Sequence, residues 1–536
     1  MININQFFFG ISSQLKEFYL NSKIYDKKIS ITDNKNLIYK PSPHLLSSLI
    51  KYQKKKYKIE DFTIDKIWDN KNINNKDYKK LNNFYWFFSL DLKSSKKTIR
   101  KVITNWINNN YKYNNKSWNF DLTAKRIIAW LSCHNLTYEE NEKDFKNNFN
   151  KIIQKQTNHL INEINRSNQI EDKLIGCASI VLVGLCYQNE KDYLVFGTTL
   201  LKKISKLALD NYGFPKSRSI KQLILYLKYF ILIREWFKES QESIPEHIDE
   251  TIYYLGQGYN FFRKNYEYGF LFNGNNLSNN DEFDNYLNRL GYKFKDESQE
   301  LGGYIFLRNK KIGFIMDVGS TPSVNHTKNY QSGALSFEII SNGKKLISNC
   351  GYYKKNNSKL NKLSKSSATQ STLIIDDNSS CKFTNIGKLL LVKKGLKIIK
   401  KSYVFEKDYW KVNAAHDGYI KKYNSIHERK IEFYPDQITF KGLDKIIKKK
   451  TNHSFKFDIR FHVEPGVKLM KTQDNKSILI ELKDEGWKFT CDNFDINIDN
   501  GLYFGNKNLY TENQNIFISG ISNNQTEDIK WEIKKI

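Results

Sequence analysis

A short run of ionisable side chains between His416 and Arg429 carries the residue types that acid–base chemistry requires. Tyr419 and His427 lie between them. A histidine can remove a proton near neutral pH, a tyrosine hydroxyl can donate one, and an arginine can hold a carboxylate through two parallel hydrogen bonds. We interpret His416, Tyr419 and His427 as candidate catalytic residues, with His416 and Tyr419 as the first choices, and Arg429 as a candidate binding residue.

A second pair of such residues lies on one predicted strand. Residues 455–463 alternate between apolar and polar side chains, which is typical of a strand with one buried face. Arg460 and His462 fall together on the polar face, and we interpret both as binding candidates. The alternative, for this pair and for the residues from His416 to Arg429, is a hydrogen-bonded polar network that holds the surrounding sheet together.

The elements around these residues read as strands. Residues 304–307 and 312–316 flank a short polar turn and predict a hairpin. Asn342 and Gly343 form a second turn, because this pair suits the positive φ angles of a type I′ hairpin. Strand patterns continue through residues 477–482 and on to Trp531. The second half of the chain is therefore predicted to be an antiparallel β structure.

The first half of the chain has a helical period instead. Within residues 122–131 the apolar side chains recur at helical spacing, and residues 175–187 and 223–237 are apolar round most of a helix. Helices of that kind lie inside a larger helical assembly. The pattern predicts an α/α toroid or a similar helical array. The composition changes in the polar stretch 273–300, so we predict a helical domain over residues 1–290 and a β domain over residues 291–536.

The composition is globular and strongly basic. Apolar residues make up 40% of the chain, and 86 Lys and Arg face 57 Asp and Glu, giving a formal charge of +29. Such a charge could attract an acidic glycan, nucleic acid or an anionic membrane, or it could reflect lysine-rich coding in an AT-rich genome. No nucleic-acid-binding motif is present, so we expect no nucleic-acid partner.

Cysteine usage and hydropathy limit the other possibilities. The six cysteines have neither paired nor metal-finger spacing, so we expect no disulfide framework. Residues 1–10 lack the basic start and the cleavage site of a signal peptide. The longest apolar run, residues 175–187, is too short to cross a bilayer. These features predict a protein without a transmembrane segment and without an export signal.

Residues 209–219 contain a glycine turn before a predicted inner helix, and residues 333–351 and 367–373 open the β part of the chain. In order and spacing, these stretches resemble the heparinase II/III-like polysaccharide lyases. Residues 416–419 and 460–466 match further along. The resemblance implies an α/α toroid followed by a C-terminal antiparallel β-sandwich, in a divergent branch of the family.

The chemistry implied by the resemblance is β-elimination on a uronic-acid polysaccharide. The carboxylate of the sugar must be neutralised so that charge can develop on the adjacent carbon. A base then removes the C5 proton and an acid protonates the leaving oxygen. Arg218, at the turn before an inner helix, and Asn273 are placed where an acidic sugar could approach. We therefore add Arg218 and Asn273 to the candidate substrate-binding residues.

The sequence departs from the family at its reactive positions. The catalytic histidine of the family falls on Asn329, and its metal ligands fall on Gln331, Asn349 and Gln370. The tyrosine of the helical domain falls on or near Gln222. Zinc prefers imidazole, thiolate or carboxylate, so three neutral amides are a poor replacement. We expect no metal and no cofactor, with the amides hydrogen-bonded to one another in the same space.

Two functions follow from this sequence. The first is a lyase that cleaves an acidic polysaccharide or oligosaccharide. The second is a glycan-binding or polysaccharide-assembly protein that kept the fold and lost the elimination chemistry, since a fold does not fix a function. The absence of an export signal indicates the cytoplasm, whereas the resemblance implies the periplasm or cell envelope. The sequence leaves the oligomeric state and the polysaccharide open.

Overall fold

The computed structural model of this protein describes most of the chain. The described residues are 14–31, 36–49, 74–90, 96–139, 142–167, 169–187, 191–263, 269–278, 280–295, 298–355, 358–387, 389–449, 454–506 and 509–536. Residues 1–10, on which the expectation about an export signal rests, lie outside them.

The chain divides into two compact units. The first, called the helical unit, comprises residues 1–208, 225–253 and 285–291. The second, called the sheet unit, comprises residues 209–224, 254–284 and 292–536. The boundary near residue 290 stays a prediction.

The helical unit is built around the apolar helix that residues 175–187 predict. That helix, Ile170–Cys186, is buried along nearly all of its length after the first turn. The next helix lies close against it, because a Cβ at Gly197 would stand 2.6 Å from a methyl group of Val181. The thiol of Cys177 donates to the carbonyl of Gly197 at 2.9 Å. Helices of the chain are, in order, α1 Lys23–Ile29, α2 Pro43–Ser47, α3 Asn75–Asn82, α4 Lys96–Asn110, α5 Phe120–Ser132, α6 His134–Thr137, α7 Lys143–Glu163, α8 Ile170–Cys186, α9 Lys191–Ala208, α10 Ile220–Glu239, α11 Glu246–Arg263 and α12 Asp281–Arg289. By the residue ranges above, α10, α11 and α12 each belong partly to the sheet unit.

The sheet unit contains the strands. Their bounds are β1 Glu300–Leu301, β2 Tyr304–Arg308, β3 Ile312–Asp317, β4 Phe337–Ser341, β5 Lys344–Ile347, β6 Leu373–Ile375, β7 Lys382–Ile386, β8 Leu389–Lys394, β9 Ile398–Phe405, β10 Trp410–His416, β11 Ser425–Tyr434, β12 Thr439–Lys448, β13 Phe455–His462, β14 Lys468–Lys471, β15 Ser477–Leu482, β16 Glu485–Cys491, β17 Asp495–Tyr503, β18 Thr511–Ser522 and β19 Thr526–Lys535. Two short helices, α13 Lys359–Ser364 and α14 Ile420–Tyr423, lie among them.

The strands pair antiparallel in four sheets. The orders are β1-β2-β3-β4-β5, then β14-β15-β16-β19-β12-β11-β10-β9, then β17-β18-β13-β6, and the pair β7-β8. One hydrophobic core joins side chains from the three larger sheets. Phe337 of β4 stacks on Trp531 of β19, with ring centroids 5.7 Å apart. The core is therefore a layer between sheets, which is the arrangement of a β-sandwich.

The predicted fold class is confirmed, with a helical N-terminal part and antiparallel sheets after it. The Asn342-Gly343 turn links β4 to β5 with φ angles of 45° and 76°, as a type I′ hairpin requires. The alternation on β13 is also confirmed, with Phe457 and Ile459 buried. In the described parts of the chain, no helix combines the length and apolarity that spanning a membrane requires.

Candidate functional site

The sheet unit contains a cavity of about 1030 Å³. Its lining carries an imidazole, an exposed tyrosine, two carboxylates and four cationic side chains, three of which pair with a carboxylate. The lining residues are Asp210, Tyr212, Pro215, Lys216, Arg218, Glu300, Leu301, Gly302, Gly303, Val318, Gly319, Ser320, Ser323, His326, Ile398, Ile399, Lys400 and Lys401.

The turn at residues 210–216 places an aromatic ring and a cation on this cavity. Asp210 closes the turn, because its carboxylate accepts hydrogen bonds from the amides of Tyr212 and Phe214, each at 2.9 Å. Gly213 has φ +71°, and a Cβ there would stand 2.2 Å from Cβ of Tyr254. A side chain at Gly213 would therefore clash as well as strain the backbone. The ring of Tyr212 is left 75% exposed.

Arg218 lines the cavity, and its guanidinium is almost fully hydrogen-bonded to other groups of the protein. Its guanidinium donates to the carbonyls of Gly302, Gly303 and Gly319 at 2.8–3.0 Å and to the carboxylate of Asp317 at 2.6 Å. Burial alone would lower the pKa of Arg218, but the charge of Asp317 outweighs it and raises the pKa. Arg218 itself has φ +60°, a costly conformation for a residue other than glycine.

Asn273 completes the same buried network. Its side-chain amide donates to the hydroxyl of Tyr304 at 2.6 Å and to Asp317 at 3.2 Å. The hydroxyl of Tyr304 donates in turn to the carbonyl of Arg218 at 2.8 Å. The structure thus brings the predicted pair Arg218 and Asn273 together. Because both side chains are hydrogen-bonded within the protein, their geometry favours a role in stabilising the cavity wall rather than in binding a sugar directly. Their assignment as substrate-binding residues stays a prediction.

His416 and His427 meet on adjacent strands, in the core of the β-sandwich. They are directly paired in the register of β10 and β11, and their side chains are 1% and 0% exposed. The amide of Gly418 donates to Nδ1 of His416 at 3.1 Å, which leaves the proton on its Nε2. That proton faces Nδ1 of His427 at 3.4 Å, and Nε2 of His427 donates to Asp444 at 2.6 Å. Two neutral imidazoles therefore form a chain that ends on a buried carboxylate.

Asp444 is the centre of this network. It also accepts from the guanidinium of Arg429 at 2.7 Å and from the indole of Trp531 at 2.8 Å. Burial tends to raise the pKa of Asp444, but Arg429 and His427 outweigh it and hold the pKa well below the usual range. Tyr419 is 2% exposed and donates to the carbonyl of Leu373 at 2.7 Å.

The candidate residues from His416 to Arg429 are too deeply buried in this network for a polymer to contact them. All four candidates, His416, Tyr419, His427 and Arg429, are at most 2% exposed. Their geometry favours the alternative of a polar network that holds the sheet together. The catalytic roles of His416, Tyr419 and His427 and the binding role of Arg429 stay predictions.

Arg460 and His462 lie on β13, away from the residues that line the cavity. Arg460 donates to Asn515 at 3.0 Å and to Asp499 at 3.1 Å. His462 is 2% exposed, and its ring contacts the carbonyl of Ala368 at 3.0 Å. Both side chains are hydrogen-bonded within the sheet unit, and their binding roles also stay predictions.

The buried histidines predict a loss of stability on acidification. Burial lowers the pKa of His462 from 6.5 to about 3. Above pH 6.5 this histidine is neutral in both states, whereas below it only the unfolded state takes up the proton, so stability falls as the pH falls towards 3. At pH 5 this one group should cost about 2 kcal/mol. The pKa of His416 is also well below 6.5, first through burial and then through His427, and acts in the same direction.

Denaturant unfolding at pH 7.5 and pH 5 measures this effect. We expect His462→Gln to reduce the stability difference between the two pH values by about 2 kcal/mol, the share of this one group. His44→Gln, at an exposed position of α2, is the matched control and should leave the difference as in the parent. An equal difference in the parent and in His462→Gln would contradict the prediction.

The amides at the family's metal positions are already engaged. The Gln331 side chain accepts from the amide of Gly274 at 3.0 Å and donates to the carbonyl of Gly351 at 2.9 Å. Asn349 accepts from the amide of Ser371 at 2.8 Å, and Gln370 donates to its neighbour Thr369 at 3.3 Å. Gln331 and Asn349 thus cross-link backbone segments and Gln370 bonds a neighbouring hydroxyl, rather than the amides bonding one another as the sequence led us to expect.

A zinc ion does not fit this donor set. The oxygens of Gln331 and Asn349 are occupied by backbone amides, and a neutral amide is a weak ligand for zinc. Within the described ranges, no group of three or more His, Cys, Asp or Glu side chains is arranged to hold a metal.

His326 is the functional candidate that the sequence did not single out. It ends a short 3₁₀ helix, Val324–His326, and its partly buried ring lines the cavity. Its pKa is lowered, first by burial and then by the charge of Lys216. The sequence did contain a signal for His326, because the resemblance places a catalytic histidine at Asn329, only three residues further along the chain.

Two further lysines of the lining come from β9. Lys400 pairs with Glu428 at 2.5 Å, and Lys401 pairs with Glu300. Both remain substantially exposed, with 53% and 37% of the side chain accessible. The cavity thus combines a neutral imidazole, a tyrosine hydroxyl and several ammonium groups, which together can accept a proton next to a bound anion.

Comparison with known proteins agrees with this architecture. Residues 295–532 match the family model described as heparinase II/III-like, C-terminal. Among solved structures, a heparinase III gene product superposes with a TM-score of 0.69 at 12% identity, covering 89% of this chain and 82% of that one. Another heparinase III gives 0.67 at 16% identity, covering 92% and 84%. The heparan sulfate lyase HepC from Pedobacter heparinus gives 0.62 at 11%, covering 89% and 78%.

A search of curated proteins finds no match to this sequence. At the identities above, the solved structures establish the fold alone: a helical toroid followed by an antiparallel β-sandwich. The family model identifies the second part of it independently. Residues 295–532 therefore form a heparinase II/III-like C-terminal domain, and the chain as a whole shares the fold of the heparinase III structures.

Proposed function

We propose that this protein is a polysaccharide lyase that cleaves a uronate-containing polysaccharide by β-elimination, in the cavity of the sheet unit. The observation that carries the proposal is His326, a partly buried imidazole near Lys216 in the lining of a cavity of about 1030 Å³. The structural similarity to heparinase III and to the heparan sulfate lyase HepC supports the reaction class.

The first requirement of the reaction is a positively charged environment for the substrate carboxylate. The carboxylate of the uronate must be neutralised so that negative charge can develop beside C5. Lys216, Lys400 and Lys401 supply ammonium groups in the lining. We assign the carboxylate to these lysines, because Lys400 and Lys401 remain exposed in their ion pairs. The guanidinium of Arg218, in contrast, is buried and makes four hydrogen bonds within the protein.

The proton transfers are assigned to His326 and Tyr212. Neutral His326 takes the C5 proton, the electron pair forms the C4–C5 double bond, and the bond from C4 to the glycosidic oxygen breaks. The leaving oxygen takes a proton from the hydroxyl of Tyr212, which lines the same cavity. Proton transfer from the imidazolium through water then restores the tyrosine. Atoms and charge balance without a metal or a redox partner.

The protonation state of His326 suits this role. Burial and the positive charge of Lys216 lower its pKa below 6.5, so the imidazole is neutral and able to accept a proton at pH 7. The same lysine that binds the substrate carboxylate therefore keeps the base unprotonated. Once an anionic sugar neutralises Lys216, the proton affinity of His326 rises, which favours proton removal from bound substrate.

Assignment of the base to His416 or His427, which the sequence favoured, remains a competing proposal. It requires a polymer to reach side chains that are 1% and 0% exposed. A His416→Ala variant separates the two proposals, because a buried structural histidine affects stability, whereas His326→Gln affects turnover alone.

The second candidate function is glycan binding without elimination. The observation in its favour is that amides replace the family's reactive positions: Gln331 and Asn349 cross-link the backbone, and Gln222 accepts a hydrogen bond from Ser217. A protein that had lost its chemistry would keep the basic cavity and bind acidic chains without cutting them.

Incubation with a panel of uronate polysaccharides separates the two functions. A lyase raises the ultraviolet absorbance, because each cleavage creates an unsaturated uronate. The same protein is passed over acidic-glycan columns in parallel. Rising absorbance with at least one polymer supports the lyase, whereas retention without any absorbance change supports the binding protein and contradicts the lyase.

A further inference from the structure

The edge strand β9 leads away from the cavity. It is the last strand of the eight-stranded sheet, paired with β10 on one side only. Its first residues, 398–401, line the cavity, and its last residue is Phe405. Within the strand, Lys401, Tyr403 and Phe405 are spaced at intervals of two and therefore point to one face.

That face is the core face of the sheet. In the register, Lys401 lies opposite Ala414, Tyr403 opposite Val412 and Phe405 opposite Trp410. These three residues of β10 are buried, at 0%, 0% and 2% exposure. Opposite residues in an antiparallel pair share a face, so the row on β9 continues the core face to the edge of the sheet.

In the part of the chain that the structure describes, the layer that covers the core face of β10 does not extend over β9. Tyr403 and Phe405 are each 39% exposed, and the side chain of Lys401 is 37% exposed. The ring of Phe405 is held in place by Trp410, with ring centroids 5.4 Å apart. An uncovered strip of sheet thus begins at the cavity and presents a cation followed by two aromatic rings. We call Lys401, Tyr403 and Phe405 the β9 row.

We propose that the β9 row is an extended binding surface for the acidic polysaccharide that enters the cavity. From Lys401 to Phe405 the strand spans about 13 Å, which is too long for one sugar and suits a chain of sugars. The aromatic faces pack against the apolar faces of sugar rings, and Lys401 together with exposed Lys397 attracts their carboxylates. The surface is continuous with the cavity, so a polymer bound in the cavity extends along the β9 row.

This inference rests on the proposed function for the identity of the ligand, but its test does not depend on turnover. Uronate oligosaccharides of increasing length are titrated into the full-length protein by calorimetry, in the parent and in Tyr403→Ala, both carrying His326→Gln so that the oligosaccharides are bound without being cleaved. We expect affinity to increase with length in the parent. In Tyr403→Ala the longest oligosaccharide should bind about tenfold more weakly, while the shortest binds as before.

Ser402→Ala is the matched control, since Ser402 lies on the same strand and points to the opposite face. Tyr403→Phe keeps the ring and should retain the parent's length dependence. A merely structural role for Tyr403 would lower the melting temperature of Tyr403→Ala without changing the length dependence. That result, or an affinity independent of length in the parent, would overturn the proposal. A length-dependent affinity, together with no unsaturated product from the parent that retains His326, would support the surface and reject the lyase.

Discussion

His326→Gln is expected to slow the formation of unsaturated product by about 100- to 10,000-fold, the usual contribution of a positioned base. The glutamine keeps a polar side chain of similar length but cannot accept a proton at neutral pH. Because the lysines of the lining are unchanged, retention on an acidic-glycan column should remain. The measurement is the initial rate of absorbance increase at a saturating polymer concentration.

His44→Gln is the control for this variant, since it removes an exposed histidine of the helical unit. It should keep the parent's rate. A His326→Gln protein with undiminished rate would exclude His326 as the base, and loss of activity in His416→Ala with unchanged stability would return the assignment to the buried network.

The pH profile provides a second readout of the same residue. The rate should rise with pH through the pKa of His326, which burial and Lys216 place below 6.5. Lys216→Met removes a positive charge beside the imidazole, so the acidic limb of the profile should move to higher pH. An acidic limb that does not move in Lys216→Met would contradict the proposed coupling.

Arg218→Met is expected to lower the free energy of unfolding by about 3–5 kcal/mol, the range found when one partner of a buried ion pair is removed. Asp317 is 1% exposed and would lose its cationic partner, and three backbone carbonyls would lose their donors. A lysine could not replace the planar guanidinium, because it lacks the geometry to reach all four acceptors. Arg218→Lys should therefore also be clearly destabilised.

Lys216→Met is a matched control, because it removes the same charge two residues away at an exposed position. Its free energy of unfolding should stay within about 0.5 kcal/mol of the parent. Denaturant unfolding of the three proteins compares them directly. A loss below about 1 kcal/mol in Arg218→Met would contradict the view that this network holds the cavity wall.

Periodicity allowed the prediction of the strands and their turns. The alternation on β13 and the Asn342-Gly343 hairpin follow from local rules of strand and turn chemistry. The same rules apply to the candidate residues of β11. His427 and Arg429 lie on the same face of this strand as Ile431 and Phe433, which are buried. That phase already indicates the core face of the sheet.

The cavity could not be predicted in the same way. Arg218, Asn273 and Asp317 are distant in sequence, and their network forms only when separate segments of the sheet unit pack together. His326 lies on a 3₁₀ turn, where no period marks the direction of a side chain. The sequence allowed prediction of the fold and of the types of residue available for chemistry. Which histidine is buried and which one faces solvent depends on tertiary packing.

The most direct test of β-elimination in this cavity is proton NMR of the products formed from a uronate polysaccharide by the parent protein. Elimination at the cavity predicts a vinylic proton signal from a C4–C5 double bond at each new non-reducing end, absent from a parallel His326→Gln reaction. New chain ends without a vinylic signal would show hydrolysis instead. Either saturated ends or an equal vinylic signal from His326→Gln would contradict elimination with His326 as the base.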